Sequence, residues 1–509
     1  MSLNYNFIWL LCYLLVLVGL AGYGFHRLSI VYLYWKNRNN KPQPKARFQE
    51  LPVVTVQLPM FNEKFVVDRL LESVAALDYP QDKLEIQILD DSTDDTTEQC
   101  YRKVEELKSR GFDAVCIHRT DRTGFKAGAL EAATKVAKGE FLLILDADFV
   151  PEPDLLQKTI HFFTDENVGL VQTRWGHINR EYNLLTRIQG MYLDGHFAME
   201  QTARNRSGRF FTFNGTAGIW RKCVIGDAGG WSHDTLTEDM DLSYRVQLKG
   251  WRFIYLNDVV TPAELPVDMD GFKSQQHRWT KGSIQVCQKI LLDIWRSNAP
   301  LKAKVEATTH LTCNYSYLLL ALLCFLVYPI CTQRIPENET VFMWFVNVAL
   351  FFMTSVAVCI FYMSAQIVVR PKSWWKELPY LPLLLTLSVG MAVNNAKAVL
   401  EAIFGHQSAF VRTPKYGVDR KEDRRHVSQL KRNGYRAIKS VVIPVLEIAC
   451  GTFFLNLIII MIRQGHYLSP ILMIPFLGFY YTGFCSLGRM ISNLSLIHIS
   501  EPTRLGMIS

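Results

Sequence analysis

This chain of 509 residues has no paired cysteines: its eleven are scattered without Cys-x-x-Cys or Cys/His spacing, several inside apolar runs. A disulfide framework and a cysteine zinc site are thereby excluded, and the thiols read as reduced or lipid-buried. Also missing between residues 53 and 295 is any basic run interleaved with aromatics, so the formal net charge of +8 does not point to nucleic acid. Met1 to Asn6 contains no Lys or Arg, which speaks against a cleaved signal peptide.

Apolar surface is abundant, at 49% of residues, and much of it is gathered into long runs. Phe7 to Phe25 carries no charge and is about as long as the ~20 residues that cross a bilayer, so it is expected to be an anchor. Arg27, Lys36, Arg38, Lys41, Lys45 and Arg47 follow it, which places its far end and the next domain in the cytoplasm. Lys41 to Pro52 reads as a linker. Beyond Trp295 the apolar runs are Leu311 to Ile330, Val341 to Val369, Leu381 to Phe404, Val441 to Ile462 and Leu468 to Gly488. Between the third and fourth lie Arg420, Lys421, Arg424, Arg425, Lys431, Arg432 and Arg436, a cytoplasmic signal. Parity then requires Leu381 to Phe404 not to cross. Its Asn394, Asn395, Lys397 and Glu401 suit a helix lying at the interface. The expected partition is an anchor (1–40), a cytoplasmic domain (41–300), two crossings plus an interfacial helix (301–402), a basic cytoplasmic loop (403–440), two further crossings (441–493) and a non-native tail (494–509). That makes five crossings, with the N-terminus outside. Thr332 to Thr340 would be external, and its Asn338-Glu339-Thr340 glycosylation triplet is read as chance. Leu494 to Ser509 continue neither the apolar pattern nor a helix period.

Within the cytoplasmic domain, Val53 to Leu58 reads as a strand closed by Pro59. Glu85 to Leu89 is a second, ending in Asp90-Asp91-Ser92, and Phe141 to Leu145 a third, ending in Asp146-Ala147-Asp148. Helical stretches at Lys64 to Leu77, Asp95 to Ser109 and Lys126 to Lys138 give an α/β, Rossmann-like rhythm with a mostly parallel sheet. Ligands of such sheets bind beyond the carboxyl ends of the strands, where these acids fall. Asp146 and Asp148 can approach one hard cation and, through it, a diphosphate, although turn chemistry also favours Asp there. Asp90 and Asp91 compete with a capping role in which Asp94 or Thr93 starts the next helix. Thr237 to Asp241 opens a helix reaching about Lys249. With Thr237 as N-cap, Asp239 sits in the first turn, where the helix dipole favours the ionised carboxylate a general base needs. Decoration of a first turn is the plainer explanation of these acids. Gln275, Arg278 and Trp279 share a helix face, so an amide, a guanidinium and an indole project together. A guanidinium grips a diphosphate and an indole stacks on a sugar, which suggests a nucleotide sugar; an interfacial anchor would use the same residues.

Taken in order, Asp90-Asp91, Asp146-x-Asp148, Thr237-Glu238-Asp239 and Gln275-x-x-Arg278-Trp279 resemble the D, DxD, TED, QxxRW set of processive, membrane-integrated family 2 glycosyltransferases, which include cellulose and hyaluronan synthases. Gln57-Leu58-Pro59-Met60-Phe61-Asn62-Glu63, Gly124-Phe125-Lys126-Ala127-Gly128-Ala129-Leu130, Phe213-Asn214-Gly215-Thr216-Ala217-Gly218 and Glu238-Asp239-Met240-Asp241-Leu242 bring it nearer the cellulose-synthase-like A and C group, makers of mannan, glucomannan or glucan backbones. The resemblance implies a GT-A-like mixed sheet and an inverting, processive hexosyltransferase that makes a β-linked, β-1,4 type polymer and translocates it. It implies donor contacts from Asp90, Asp91, Lys126, Asp146, Asp148, Gln275 and Arg278, with Mg2+ or Mn2+ on Asp146 and Asp148. Asp239 would be the base, and Trp279, Asn214, Gly215, Thr216 and Glu238 would meet the acceptor. Phe410-Val411-Arg412-Thr413-Pro414-Lys415 resembles the FxVTxK gating loop, giving Phe410, Thr413 and Lys415 gating roles, with Arg412 in place of Val. Phe211-Thr212-Phe213 departs from the Cys-containing version in cellulose synthases, which makes glucose the less secure sugar. GDP-mannose and UDP-glucose both remain open as donors. The expected partners are the donor, the growing polysaccharide and the lipid bilayer, with no nucleic acid; accessory subunits and oligomeric state are not fixed. The membrane would be the plasma or inner membrane of a bacterium or the Golgi of a eukaryote. A transferase acting on a ceramide or dolichol-phosphate type lipid, and a silent scaffold that keeps the sheet for nucleotide sensing, are the alternatives.

Overall fold

The structure is a computed structural model that describes residues 2–332, 352–406, 412–418, 441–464 and 473–500. Thr332 excepted, the loop holding Asn338, the gating-loop residue Phe410, the basic segment from Arg420 to Arg436 and the last nine residues lie outside the described residues.

Apolar runs become strands β1 (Val54–Met60), β2 (Leu84–Asp90), β3 (Asp113–His118) and β4 (Phe141–Ile144), followed by β5 (Val168–His177), β6 (Gly218–Arg221) and β7 (Arg252–Ala263). They form one sheet in the order β3-β2-β1-β4-β6-β5-β7. Pairs among β1 to β4 are parallel, whereas β6 runs antiparallel to both β4 and β5. The sheet is therefore mixed, as a GT-A-like domain requires. Val54, Val56 and Leu58 point into one apolar layer. The alternate residues are polar and paired across strands: Thr55 Oγ1 donates to Glu85 Oε2 (2.6 Å) and Gln57 Nε2 to Gln87 Oε1 (3.1 Å). Buried polar groups are tolerated because each finds such a partner.

Pro59 does not close β1; it pairs in register with Leu89, and the strand runs on to Met60. On its other side β1 pairs with β4 only from Val54 to Gln57, so beyond that point a missing N–H removes no ladder bond. Helices α1 (Ser2–Asn37), α2 (Val67–Ala75), α3 (Thr96–Ser109), α4 (Phe125–Val136), α6 (Glu238–Leu248) and α7 (Met269–Arg296) fall on expected stretches, with α2 shorter than its sequence span, whereas α5 (Leu184–Asp194) was not among the expected helices. Asp94 Oδ1 accepts the Thr96 amide (3.0 Å) in a turn ahead of α3, but the N-cap position falls to Asp95, whose side chain makes no capping bond, so neither Asp94 nor Thr93 takes the expected cap.

After α7 come α8 (Leu301–Thr312), α9 (Tyr315–Thr332), α10 (Ala357–Val369), α11 (Leu381–Gly390), α12 (Ala392–Ile403), α13 (Val442–Arg463) and α14 (Met473–Ser500). Ile8–Asn37 and Val442–Arg463 are long and apolar enough to cross a membrane. Two bent pairs, α8 with the start of α9 (52°) and residues 374–390 with α12 (41°), also pass when each is taken together. Leu15, Val18 and Phe25 on α1 and Val442, Val445 and Ile462 on α13 are exposed, the unpartnered apolar surface that lipid covers. Leu381 to Phe404 is not one helix, since the chain bends between α11 and α12. Residues 494–500 do continue a helix, as the end of α14, contrary to the expectation of a patternless tail from Leu494.

Candidate active site

In a sheet of this kind a ligand binds where outgoing connections diverge: the one leaving β1 turns toward β2, while the one leaving the neighbouring β4 turns the other way, toward β5. A cavity opens at that point, lined by the segments that follow β1, β2 and β4 together with the start of α6 and one face of α7. It gathers Asp91, Lys126, Asp146, Asp148, Asn214, Gly215, Glu238, Asp239, Gln275, Arg278, Trp279, Thr413 and Lys415 from positions up to some three hundred residues apart in the chain. Asp90 and Thr216 do not line it. Asp90 is fully buried and accepts from the Ser92 amide (3.1 Å) and Thr97 Oγ1 (2.7 Å), with His118 Nδ1 at 2.7 Å. Thr216 Oγ1 accepts the Asp146 amide (2.8 Å), and so braces the chain from behind. Asp91 faces inward, held in a two-pronged grip by Arg119 at 2.8 and 2.6 Å.

Lys126, at the start of α4, donates to Asp146 Oδ1 (2.5 Å) and to the Gly215 carbonyl (2.8 Å). Burial raises the Asp146 pKa, but the Lys126 and Lys415 ammonium groups outweigh it and hold the carboxyl below its usual range. Asp148 pairs with Lys415 (2.5 Å). Against the cost of burial, Asp148, Glu63 and Asp146 keep the Lys415 ammonium charged, its pKa above the ordinary lysine value. Among the described residues no three His, Cys, Asp or Glu converge into a self-sufficient metal cage. Two carboxylates beyond one strand instead fit a cation such as Mg2+ or Mn2+ that takes the rest of its oxygen shell from substrate phosphates and water.

Thr237 occupies the N-cap position of α6 but makes no capping bond with its side chain. Its methyl and hydroxyl lie against Gly282 of α7, where an added Cβ would come within 2.5 Å of Thr237 Cγ2. That close approach docks the start of α6 on the Gln275/Arg278/Trp279 face. Asp239 Oδ1 accepts the Met240 amide (2.8 Å), yet its pKa is pushed up to about 7, by burial first and the Glu238 carboxylate second, with Lys126 opposing. The helix dipole favours the ionised carboxylate, as expected of a first turn, but here desolvation and a like charge outweigh it. Arg278 is shifted below its usual pKa by burial, with Glu238, Asp146 and Asp239 pulling the other way.

Gly215 approaches this carboxylate at a φ of +78°. A Cβ there would stand 3.0 Å from Asp239 Oδ2 and 3.5 Å from Lys126 Nζ. Gly215→Ala is expected to cost about 1–2 kcal/mol in backbone strain and to lower turnover by about tenfold or more through displacement of the base. Thermal melting and initial rates on the same preparation check both.

Glu63, Glu264 and Arg412 enter the site without having been singled out as site residues from sequence. Arg412 Nη1 reaches Glu63 Oε2 (2.9 Å) and donates to the carbonyls of Phe61 (2.6 Å) and Asn62 (2.5 Å). Glu264 accepts the amides of Tyr416 (3.0 Å), Gly417 (2.9 Å) and Val418 (3.2 Å). Both acids stand just past the carboxyl ends of strands, β1 and β7, the position that would have identified them. Residues 412–418 are thereby held across the cavity, with Thr413 and Lys415 on its lining.

Residues 52–282 match the family described as Glycosyltransferase like family 2. The chain is 42% identical over 286 residues to glucomannan 4-beta-mannosyltransferase 2 of Arabidopsis thaliana, and 41% identical over 277 residues to glucomannan 4-beta-mannosyltransferase 1 of Oryza sativa subsp. japonica. Each match covers 53% of this chain and 53% of the relative, so the chain matches about half the length of these curated relatives. Among solved structures, a mannosyltransferase from Pyrobaculum calidifontis in complex with GDP-Man and Mn2+ superposes with a TM-score of 0.55 at 20% identity, covering 78% of this chain and 100% of that one. This likeness shows the GT-A fold.

Proposed function

We propose that this chain, whose residues 52–282 form a glycosyltransferase family 2 domain, polymerises hexoses from a nucleotide sugar into a β-1,4-linked polysaccharide and passes the product through its own membrane helices. GDP-mannose is the first donor to test and UDP-glucose the second, since the two plant relatives are named as mannosyltransferases and the archaeal neighbour was solved with GDP-Man. The observation that carries the reading is a series of three neighbouring cavities that share lining residues. The donor cavity shares Trp175, Leu193, Asn214, Asp239 and Trp279 with a second. The second shares Arg27, Tyr192, Glu200, Asn314 and Tyr362 with a third of about 560 Å3 between α1, α9, α11 and α13. A row of cavities that extends from the base toward the apolar helices suits a lengthening chain better than a single lipid-linked sugar.

In this reading Asp91 meets the nucleoside and Arg278 with Gln275 steadies the diphosphate. Asp146 and Asp148 would hold a divalent cation, which would supply positive charge to neutralise the leaving diphosphate. Trp279 stacks the acceptor end, and Asn214, Gly215 and Glu238 line its place. Asp239 takes the proton from the acceptor hydroxyl, whose oxygen bonds the anomeric carbon as the bond to the diphosphate breaks on the opposite side, inverting the centre. The segment carrying Thr413 and Lys415 serves as a gate. We assign the domain to the cytoplasmic face of a multi-pass protein because Lys36, Arg38, Lys41, Lys45 and Arg47 follow the uncharged run of α1.

Purified protein given labelled GDP-mannose and UDP-glucose separately, with Mn2+ or Mg2+, should yield a long polymer from GDP-mannose that β-1,4-mannanase digests. A product consisting of one sugar on a lipid would overturn the polymerase reading.

A further inference from the structure

Helix α7 presents two stripes. Gln275, Arg278 and Trp279 face the cavity, while Lys273, His277 and Lys281, spaced by four, run along the opposite side. Every member of that second stripe meets an acid from a segment after residue 380. Lys273 Nζ pairs with Glu447 Oε2 of α13 (2.5 Å) and donates to the Thr482 carbonyl and Ser486 Oγ of α14, both at 3.0 Å. His277 Nε2 and Lys281 Nζ converge on Glu401 Oε2 of α12, at 3.2 and 3.1 Å, and Lys397 approaches the other oxygen at 3.6 Å. Asn394 of α12 donates to the Lys273 carbonyl (3.1 Å). Lys281 is fully buried and Lys273 nearly so.

We propose that Glu401 and Glu447 are positioning residues that fix the rotation and register of α7 and thereby aim Arg278 and Trp279 at the donor and acceptor. Buried ion pairs are poor providers of stability compared with apolar packing, and their best-attested role is to specify register. Here register has a direct consequence. The Gly282 contact with Thr237 leaves no room for α7 to turn without moving the start of α6, where Glu238 and Asp239 sit. The membrane-side helices thus hold both the diphosphate grip and the base in place. This also accounts for the polar residues of α12: three of the four, Asn394, Lys397 and Glu401, lie at this junction, where α12 docks on α7.

The inference rests on the transferase reading above, and the test separates the two. Lys281→Met/Glu401→Leu removes both charges while keeping volume, and Glu401→Asp keeps the charge but withdraws it by one methylene. In full-length protein, both variants should melt near wild type and bind nucleoside diphosphate, yet lose about tenfold or more in kcat with donor KM changed less. A Lys281→Glu/Glu401→Lys exchange, which restores the pair in reverse, should recover part of that loss. Wild-type kcat in both the double variant and Glu401→Asp would overturn the positioning role. Absence of any sugar transfer by the wild-type protein would remove the transferase reading, and this inference with it.

Discussion

Asp239→Asn is expected to lower kcat for sugar transfer by about 10²–10⁴-fold, the range a positioned general base supplies, with donor binding little changed. The Asn side chain is nearly isosteric, so it keeps the contact with Gly215 and the bond from the Met240 amide while losing the ability to take a proton. The pH profile gives an independent reading. With its pKa near 7, Asp239 changes charge close to neutrality, and the base acts only when ionised, so kcat/KM of the wild type should rise with pH through about 7 and then level. Glu238→Gln should move that limb to lower pH, since it removes the second cause of the shift while burial remains. Stability runs the other way. A carboxyl whose folded pKa is raised stabilises the fold fully below its unfolded value of 3.8, and the contribution is lost as pH rises through about 7. Asp239→Asn should therefore melt higher than wild type above neutrality, the reverse of its effect on activity. Unchanged polymer synthesis by this variant would remove the base assignment.

How much of this could be foreseen depends on whether a residue's role is set locally or by its surroundings. Apolar runs marked β1, β2 and β4 because a strand buried on both faces must be apolar or internally paired, and the acids at the ends of β2 and β4 mark where the sheet opens to ligand. Antiparallel β6 was not foreseen, since only four residues, Gly218–Arg221, form it. The choice between Asp90 and Asp91 could not be made from spacing. It is decided by Arg119, from the far end of β3, which turns Asp91 toward the cavity while His118 and Thr97 retain Asp90. Glu401 and Asn394 were legible as polar residues out of place in hydrocarbon, but their partners on α7 lie more than one hundred residues away. The upward shift of Asp239 was not legible because desolvation belongs to the assembled cavity, whereas the helix dipole belongs to the segment alone.

Turnover of Asp148→Ala should fall about 10²–10³-fold and lose its response to added Mn2+ or Mg2+, because the cation is asked to supply several kcal/mol of charge stabilisation. Loss of folding is not the expected cause. The gate segment keeps its other ties, Arg412 to Glu63 at 2.9 Å and three backbone amides to Glu264, and Lys415 keeps Glu63 at 3.7 Å. Asp146 remains beside Lys126, so one carboxylate of the pair survives, and weak cation binding should persist at raised metal concentration. Lys415→Met separates metal from gate: it takes away the ammonium that occupies Asp148 without touching either carboxylate. Cation affinity should then rise, since Asp148 no longer has to exchange one positive partner for another, even where turnover falls through loss of the gate. Opposite movements of cation affinity in the two variants would identify Asp148 as the residue over which the gate lysine and the metal compete. A wild-type metal titration in Asp148→Ala would instead remove that carboxylate from the metal site.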